Sequence, residues 1–197
     1  MLAGALAAAG GAGASETVDT TRPIGHPRDR LPLAVHLLPP RDPALAAPVR
    51  RAVDDWNAVT REALGVEAFR WHEREEGADL VIRFVSPAPG QPLGYAHFDV
   101  DDGGAIRVPV RIDLVEPTAM GETSRETVLF QVAAHEVGHA LGLPHTDDPG
   151  SIMCCLRGAL NLQDPAIRAR YVEARRRPEV RSVLGQLLEL YPRFWQR

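Results

Sequence analysis

Lysine is missing from this chain. All 22 basic residues among its 197 are arginine, and with the abundance of Ala, Pro and Gly this points to coding bias, not to mechanism. Cysteine is almost missing. Cys154 and Cys155 stand side by side, so they cannot staple distant parts of a fold or furnish a four-cysteine zinc site. An excess of positive charge is absent as well: the net charge is −4, which gives no reason to expect nucleic acid as a partner. Long apolar runs are lacking, so no integral membrane span is expected. The apolar stretch 1–15 is too short to cross a bilayer. With Ala12-Gly13-Ala14 as a cleavage-like site, it reads either as a secretory signal without its basic start or as an Ala/Gly tail. Nothing in the sequence fixes the oligomeric state.

What is present is enough apolar residue, 45%, for one packed domain. Residues 1–30 read as a tail and extended lead-in, and 31–197 as a single domain. Leu33 to Leu38 has strand character. From about Pro43 to Leu64, Val49, Ala52, Val53, Trp56 and Val59 form one helical stripe, with Gly65 as its stop. Phe69 to His72, Ala78 to Val85, Gly94 to Val100 and Ile106 to Leu114 read as strands. Pro109 inside the last suggests an edge or a bulge. Thr123-Ser124-Arg125-Glu126 has capping-box spacing, with Thr123 as N-cap, and opens a helix that should run to Leu141. Residues 165–190 look helical with a break near Pro178. The element order predicts an α+β domain: one mixed sheet with helices packed on it.

The chemistry concentrates in His135-Glu136-Val137-Gly138-His139-Ala140-Leu141-Gly142-Leu143-Pro144-His145. Histidines four apart on a helix share one face and can hold one metal ion. Gly142 stops the helix where a positive φ is commonly needed, and His145 can then reach the same ion. Three protein ligands with an open fourth position make the catalytic zinc pattern; four closed ligands make the structural one. Glu136 is placed to act as general base and then acid toward a zinc-activated water. The five fixed residues of H-E-x-x-H-x-x-G-x-x-H should arise by chance in roughly one chain in 10⁵ of this length.

These residues, followed by Ser151-Ile152-Met153, resemble the metzincin zinc-peptidase signature with its Met-turn. The stretch His139 to Pro149 is most similar to the matrixins. The resemblance implies a zincin-like fold: a mixed twisted sheet with an active-site helix, a Met-turn and a C-terminal helix. It implies one catalytic Zn²⁺ on His135, His139 and His145, Glu136 as the catalytic carboxylate, and Met153 as an apolar floor beneath the ligands, with Gly142 supporting. It also implies a protein or peptide substrate, with secretion or export to the cell envelope. An extended substrate would add to an edge strand beside the zinc helix, for which Gly94, Tyr95, Ala96 and His97 are the candidates and Ile106–Leu114 the alternative.

The departures from the family are specific. No cysteine precedes residue 154 in this sequence, so the matrixin cysteine latch has no counterpart in it. Cys155 stands two residues after Met153, where astacins and serralysins carry a tyrosine. The cysteine pair reads as two small buried thiols in preference to a vicinal disulfide. His97 to Asp102 resembles a structural-metal segment of matrixins but lacks the partner histidine, and reads as an exposed acidic turn. Arg168, Arg170, Arg175, Arg176 and Arg177 read as a solvated helix face. Two other functions remain open: a zinc-binding interaction module, which has no need of Glu136, and a hydrolase of non-peptide amides.

Overall fold

The computed structural model describes residues 22–156 and 158–196; the stretch 1–15 lies outside them. Five strands form one mixed sheet in the order β2-β1-β3-β5-β4. They are β1 (Leu33–Leu37), β2 (Phe69–Trp71), β3 (Leu80–Val85), β4 (Gly94–His97) and β5 (Val110–Val115). The β1, β2, β3 and β5 pairings are parallel, and β4 closes the sheet antiparallel to β5. Among the described residues four α-helices accompany them: α1 (Ala46–Leu64), α2 (Arg125–Ala140), α3 (Pro165–Arg176) and α4 (Leu184–Trp195). This is the α+β, zincin-like architecture that the sequence predicts.

Alternation along the strands builds the core. Leu33, Val35, Leu37, Leu80, Ile82, Val110, Ile112 and Leu114 are buried under α1 and α2, which pack against each other. The apolar stripe of α1 is the expected one, Val49, Ala52, Val53, Trp56 and Val59, and the helix ends at Gly65 with φ +70°.

Three local expectations need correction. The N-cap of α2 is Ser124, not Thr123: its hydroxyl oxygen accepts from the Thr127 N–H. A hydroxyl one residue along serves the same orphan donors. Ile106–Leu114 is not an edge. The ladder begins at Val110, after Pro109, so the proline removes no sheet hydrogen bond, and β5 lies between β3 and β4. Finally, Arg175 does not share the solvated face of its neighbours in α3. It is buried, at 7% exposure.

The lead-in before β1 packs onto the domain. The His26 side chain is wholly buried and its Nε2 donates to the Ala140 carbonyl at 2.9 Å. The Trp195 indole N–H donates to the His26 carbonyl at 3.0 Å. Residues near 25 therefore lie between the end of α2 and α4.

Candidate metal centre

The site is built on α2 and the loop that follows it. His135 and His139 project from one face of the helix. At its end the Gly142 N–H donates to His139 O and the Leu143 N–H to Gly138 O, a pattern that turns the chain back through a left-handed residue. Gly142 supplies it with φ +86°. A side chain there would also overlap the Ile24 carbonyl, so the glycine is required twice, for its dihedral and for the passage of the lead-in. The reversal delivers His145. The three Nε2 atoms stand 3.1, 3.2 and 3.3 Å apart.

These nitrogens fit a metal. His135 Nδ1 donates to Ile152 O at 2.8 Å and His139 Nδ1 donates to Leu143 O at 2.9 Å. With the proton held on Nδ1, each Nε2 presents a lone pair, and lone pairs brought face to face call for a shared cation. Tetrahedral zinc at about 2.0–2.1 Å from each nitrogen would space them roughly 3.3–3.4 Å apart, close to what is observed. Burial, with help from the neighbouring imidazoles, pulls His135 down to about 3 and His139 down to about 4. His145 is lowered by burial as well. Neutral imidazole is the ligating form. Among the described residues this is the one group of three or more His, Cys, Asp or Glu side chains whose ligand atoms converge in this way.

Glu136 lies beside the triad and is buried, at 8% exposure. Burial pushes its carboxyl up to about 8, against the opposing effect of the Ala96 backbone N–H. Its other neighbour is Gly94. A Cβ on Gly94 would stand 2.5 Å from Val132 Cγ1 and 2.7 Å from Glu136 Cγ. The edge strand β4 is thus pressed onto α2 at the position where only glycine fits.

β4 is an edge strand, and its ladder shows what it offers. The Val115 N–H donates to the Leu93 carbonyl at 2.8 Å. Alternation then gives Tyr95 and His97 the hydrogen-bonded positions opposite Asp113 and Arg111. The N–H and C=O groups of Gly94 and Ala96 are left at the free edge. The four candidate groove residues divide accordingly. Gly94 and Ala96 face α2. Tyr95 and His97 project from the other face of the sheet, where their rings pack at a tilt of 54° and His97 contacts Asp113 at 3.2 Å. Asp101 accepts from the Gly103 and Ala105 N–H groups within its own turn.

Beneath α2, Met153 is completely buried. A Cβ on Gly138 would overlap its sulfur and stand 2.9 Å from Trp56 Cζ2. The Trp56 indole in turn donates to Ala134 O at 2.9 Å. In the sequence, a glycine inside a helix is the signal of such a close approach. The Cys154 and Cys155 sulfur atoms lie in direct contact. Adjacent side chains on the turn after Met153 are near enough to pair, which composition alone does not reveal.

Fold and site together define a metzincin: a mixed sheet, a metal helix with two histidines, a third histidine after a glycine turn, and a buried carboxylate between them. Comparison with known proteins narrows this. The family model for matrixin matches residues 40–166, more than half of the chain, and the chain belongs to that family. Matrix metalloproteinase-16 of Rattus norvegicus is 37% identical over 125 residues, covering 57% of this chain and 20% of that protein. Neutrophil collagenase of Homo sapiens is 41% identical over 66 residues, 33% of this chain and 11% of that one. The chain thus spans about a fifth or less of the length of these relatives. The crystal structure of archaemetzincin from Methanopyrus kandleri aligns with 84% of this chain and 95% of its own, at a TM-score of 0.47 and 15% identity.

Proposed function

We propose that this chain is a zinc-dependent endopeptidase. The observation that carries the proposal is the placement of Glu136: a buried carboxylate between three convergent imidazoles and the free edge of β4. A purely structural metal site has no use for such a group.

Zinc held by His135, His139 and His145 would supply a Lewis acid that polarises a peptide carbonyl and lowers the pKa of water toward neutrality. Glu136 accepts the proton of the attacking water and passes it to the leaving amine nitrogen. The main-chain groups of Gly94 and Ala96 pair with an extended substrate and lay its scissile bond along α2. Tyr95 and His97 use their backbone groups on β5 and turn their side chains to the other face of the sheet. Met153 packs under the metal helix as an apolar floor and keeps the ligands in register.

Incubation of the purified chain with a mixed peptide library tests this. Internal peptide bonds should be cut, cutting should stop with a zinc chelator, and it should return with added zinc. Zinc bound at one ion per chain without any peptide turnover would favour an interaction module with the same fold. Turnover of non-peptide amides alone would favour the third reading.

A further inference from the structure

Arg175 is the buried charge that the proposed chemistry leaves unexplained. It sits in the last turn of α3 at 7% exposure. Among the described residues no carboxylate lies within ion-pair distance of it. Arginine is seldom buried without a countercharge, so its neutral partners must account for its place. Nη2 donates to the Cys154 carbonyl at 3.0 Å. With the Gln131 amide oriented to accept, Gln131 Oε1 takes Nη1 at 2.8 Å and Nε at 3.2 Å. The guanidinium also lies over the Tyr171 ring, 4.8 Å from its centroid.

The two acceptors are informative because of what they adjoin. Gln131 is on α2, four residues before His135 and therefore on the same face one turn earlier. Cys154 is two residues after Ile152, whose carbonyl receives the His135 Nδ1–H at 2.8 Å. A closed circuit results: His135, Ile152, Cys154, Arg175, Gln131 and back along α2 to His135. We propose that Arg175 is a positioning residue, whose planar fork ties the metal helix to the methionine-bearing turn and so holds His135 in the orientation and tautomer that ligation requires.

The role rests on the metal reading above and deepens it. The turn has other supports: the Ile152 N–H donates to Ser182 Oγ at 2.8 Å and the Thr146 N–H to Met153 O at 3.1 Å. Loss of the arginine therefore loosens the turn relative to α2 without releasing it. An arginine can serve two acceptors at fixed angles; the compact ammonium of lysine carries the same charge but lacks the planar fork.

The test is zinc affinity, by competition with a chromophoric chelator, together with the visible spectrum of the Co²⁺-substituted protein. In Arg175→Met, zinc binding should weaken about 10- to 100-fold, as expected for loss of a ligand's support. The Co²⁺ bands should shift, and kcat should fall more than KM changes, while far-UV circular dichroism stays native. Arg175→Lys should resemble Arg175→Met. Wild-type affinity and an unaltered Co²⁺ spectrum in folded Arg175→Met would overturn the proposal, as would full rescue by lysine. Should Arg175→Met fail to fold, Gln131→Leu, which removes one acceptor, decides: weaker zinc binding supports the circuit and unchanged binding overturns it. Absence of zinc binding by the wild type would instead defeat the metal reading itself.

Discussion

The indole N–H of Trp56 donates to the carbonyl of Ala134, the residue immediately before His135, at 2.9 Å. A side chain from α1 thereby takes hold of α2 beside the first histidine of the cluster. Trp56 is fully buried and its ring also meets Gly138, so one residue fixes both the height and the rotation of α2. Trp56→Phe keeps most of the ring and loses the donor. The hydrogen bond accounts for about 1 kcal/mol, and the space left adds to it, so a total loss of about 1–3 kcal/mol is expected. Urea unfolding of the two proteins measures it; a change below about 0.5 kcal/mol, the scale of an ordinary surface substitution, would show that the contact is incidental.

Gly94 marks where the edge strand meets the Glu136 carboxylate. In Gly94→Ala the new methyl would lie 2.7 Å from Glu136 Cγ and 3.0 Å from its Oε1, so Glu136 or β4 must give way. Overpacking of this kind costs about 1–3 kcal/mol. Displacing a catalytic group by about an ångström can lower turnover 10²-fold. Peptide turnover should therefore fall by roughly 10- to 100-fold while zinc remains bound. Wild-type kcat in this variant would remove Glu136 from the place proposed for it.

Ala96 offers its N–H at the free edge of the sheet, so a proline there leaves the β4–β5 ladder intact. Ala96→Pro should fold normally and lose the N–H that faces both an extended substrate and the Glu136 carboxyl. About 0.5–1.5 kcal/mol of binding corresponds to a 2- to 10-fold lower kcat/KM. Steady-state kinetics on one cleaved peptide checks this, and an unchanged kcat/KM would shift the groove away from β4.

His26 should make the fold acid-sensitive. Burial lowers the pKa of its imidazole, outweighing the Ala140 carbonyl that favours the charged form; Arg30 lowers it further and Asp79 opposes. Among the described residues Nδ1 has no hydrogen-bond partner. The unfolded chain takes up a proton at this residue below about pH 6.5, and the folded chain resists it. The unfolded state then binds more protons, so stability is fully present above that pH and is lost as the pH falls below it. Between about pH 7.5 and 5.5, the fall in unfolding free energy should be smaller in His26→Gln than in the wild type. Equal falls would show that His26 takes up its proton alike in both states.

Much of this was legible in the sequence, because much of it is local. The stripe of α1, the four-residue spacing of His135 and His139, and the Gly142 stop are all set within a few turns of chain. The fold class followed from element order. What escaped depends on residues distant in sequence. The interior position of β5 is decided by its pairing with β3 and β4, and Pro109 misled because it precedes the ladder by one residue. Arg175 carries the same letter as its solvated neighbours, and its burial is created by Gln131 and Cys154, 44 and 21 positions away. His26 was assigned to an extended lead-in because nothing nearby announces the end of α2. The division of β4 into Gly94 and Ala96 on one face and Tyr95 and His97 on the other could have been read from alternation alone, once its edge position was known.

The most direct measurement is cleavage of an unstructured protein by zinc-loaded wild type and zinc-loaded Glu136→Gln, with bound zinc quantified in both. The amide preserves the size of the side chain and cannot take up the proton. Equal zinc content is expected, with internal cleavage by the wild type and turnover at least about 10²-fold lower in the variant. Equal cleavage by the two proteins would contradict the assignment of Glu136, and with it the account of this site as hydrolytic.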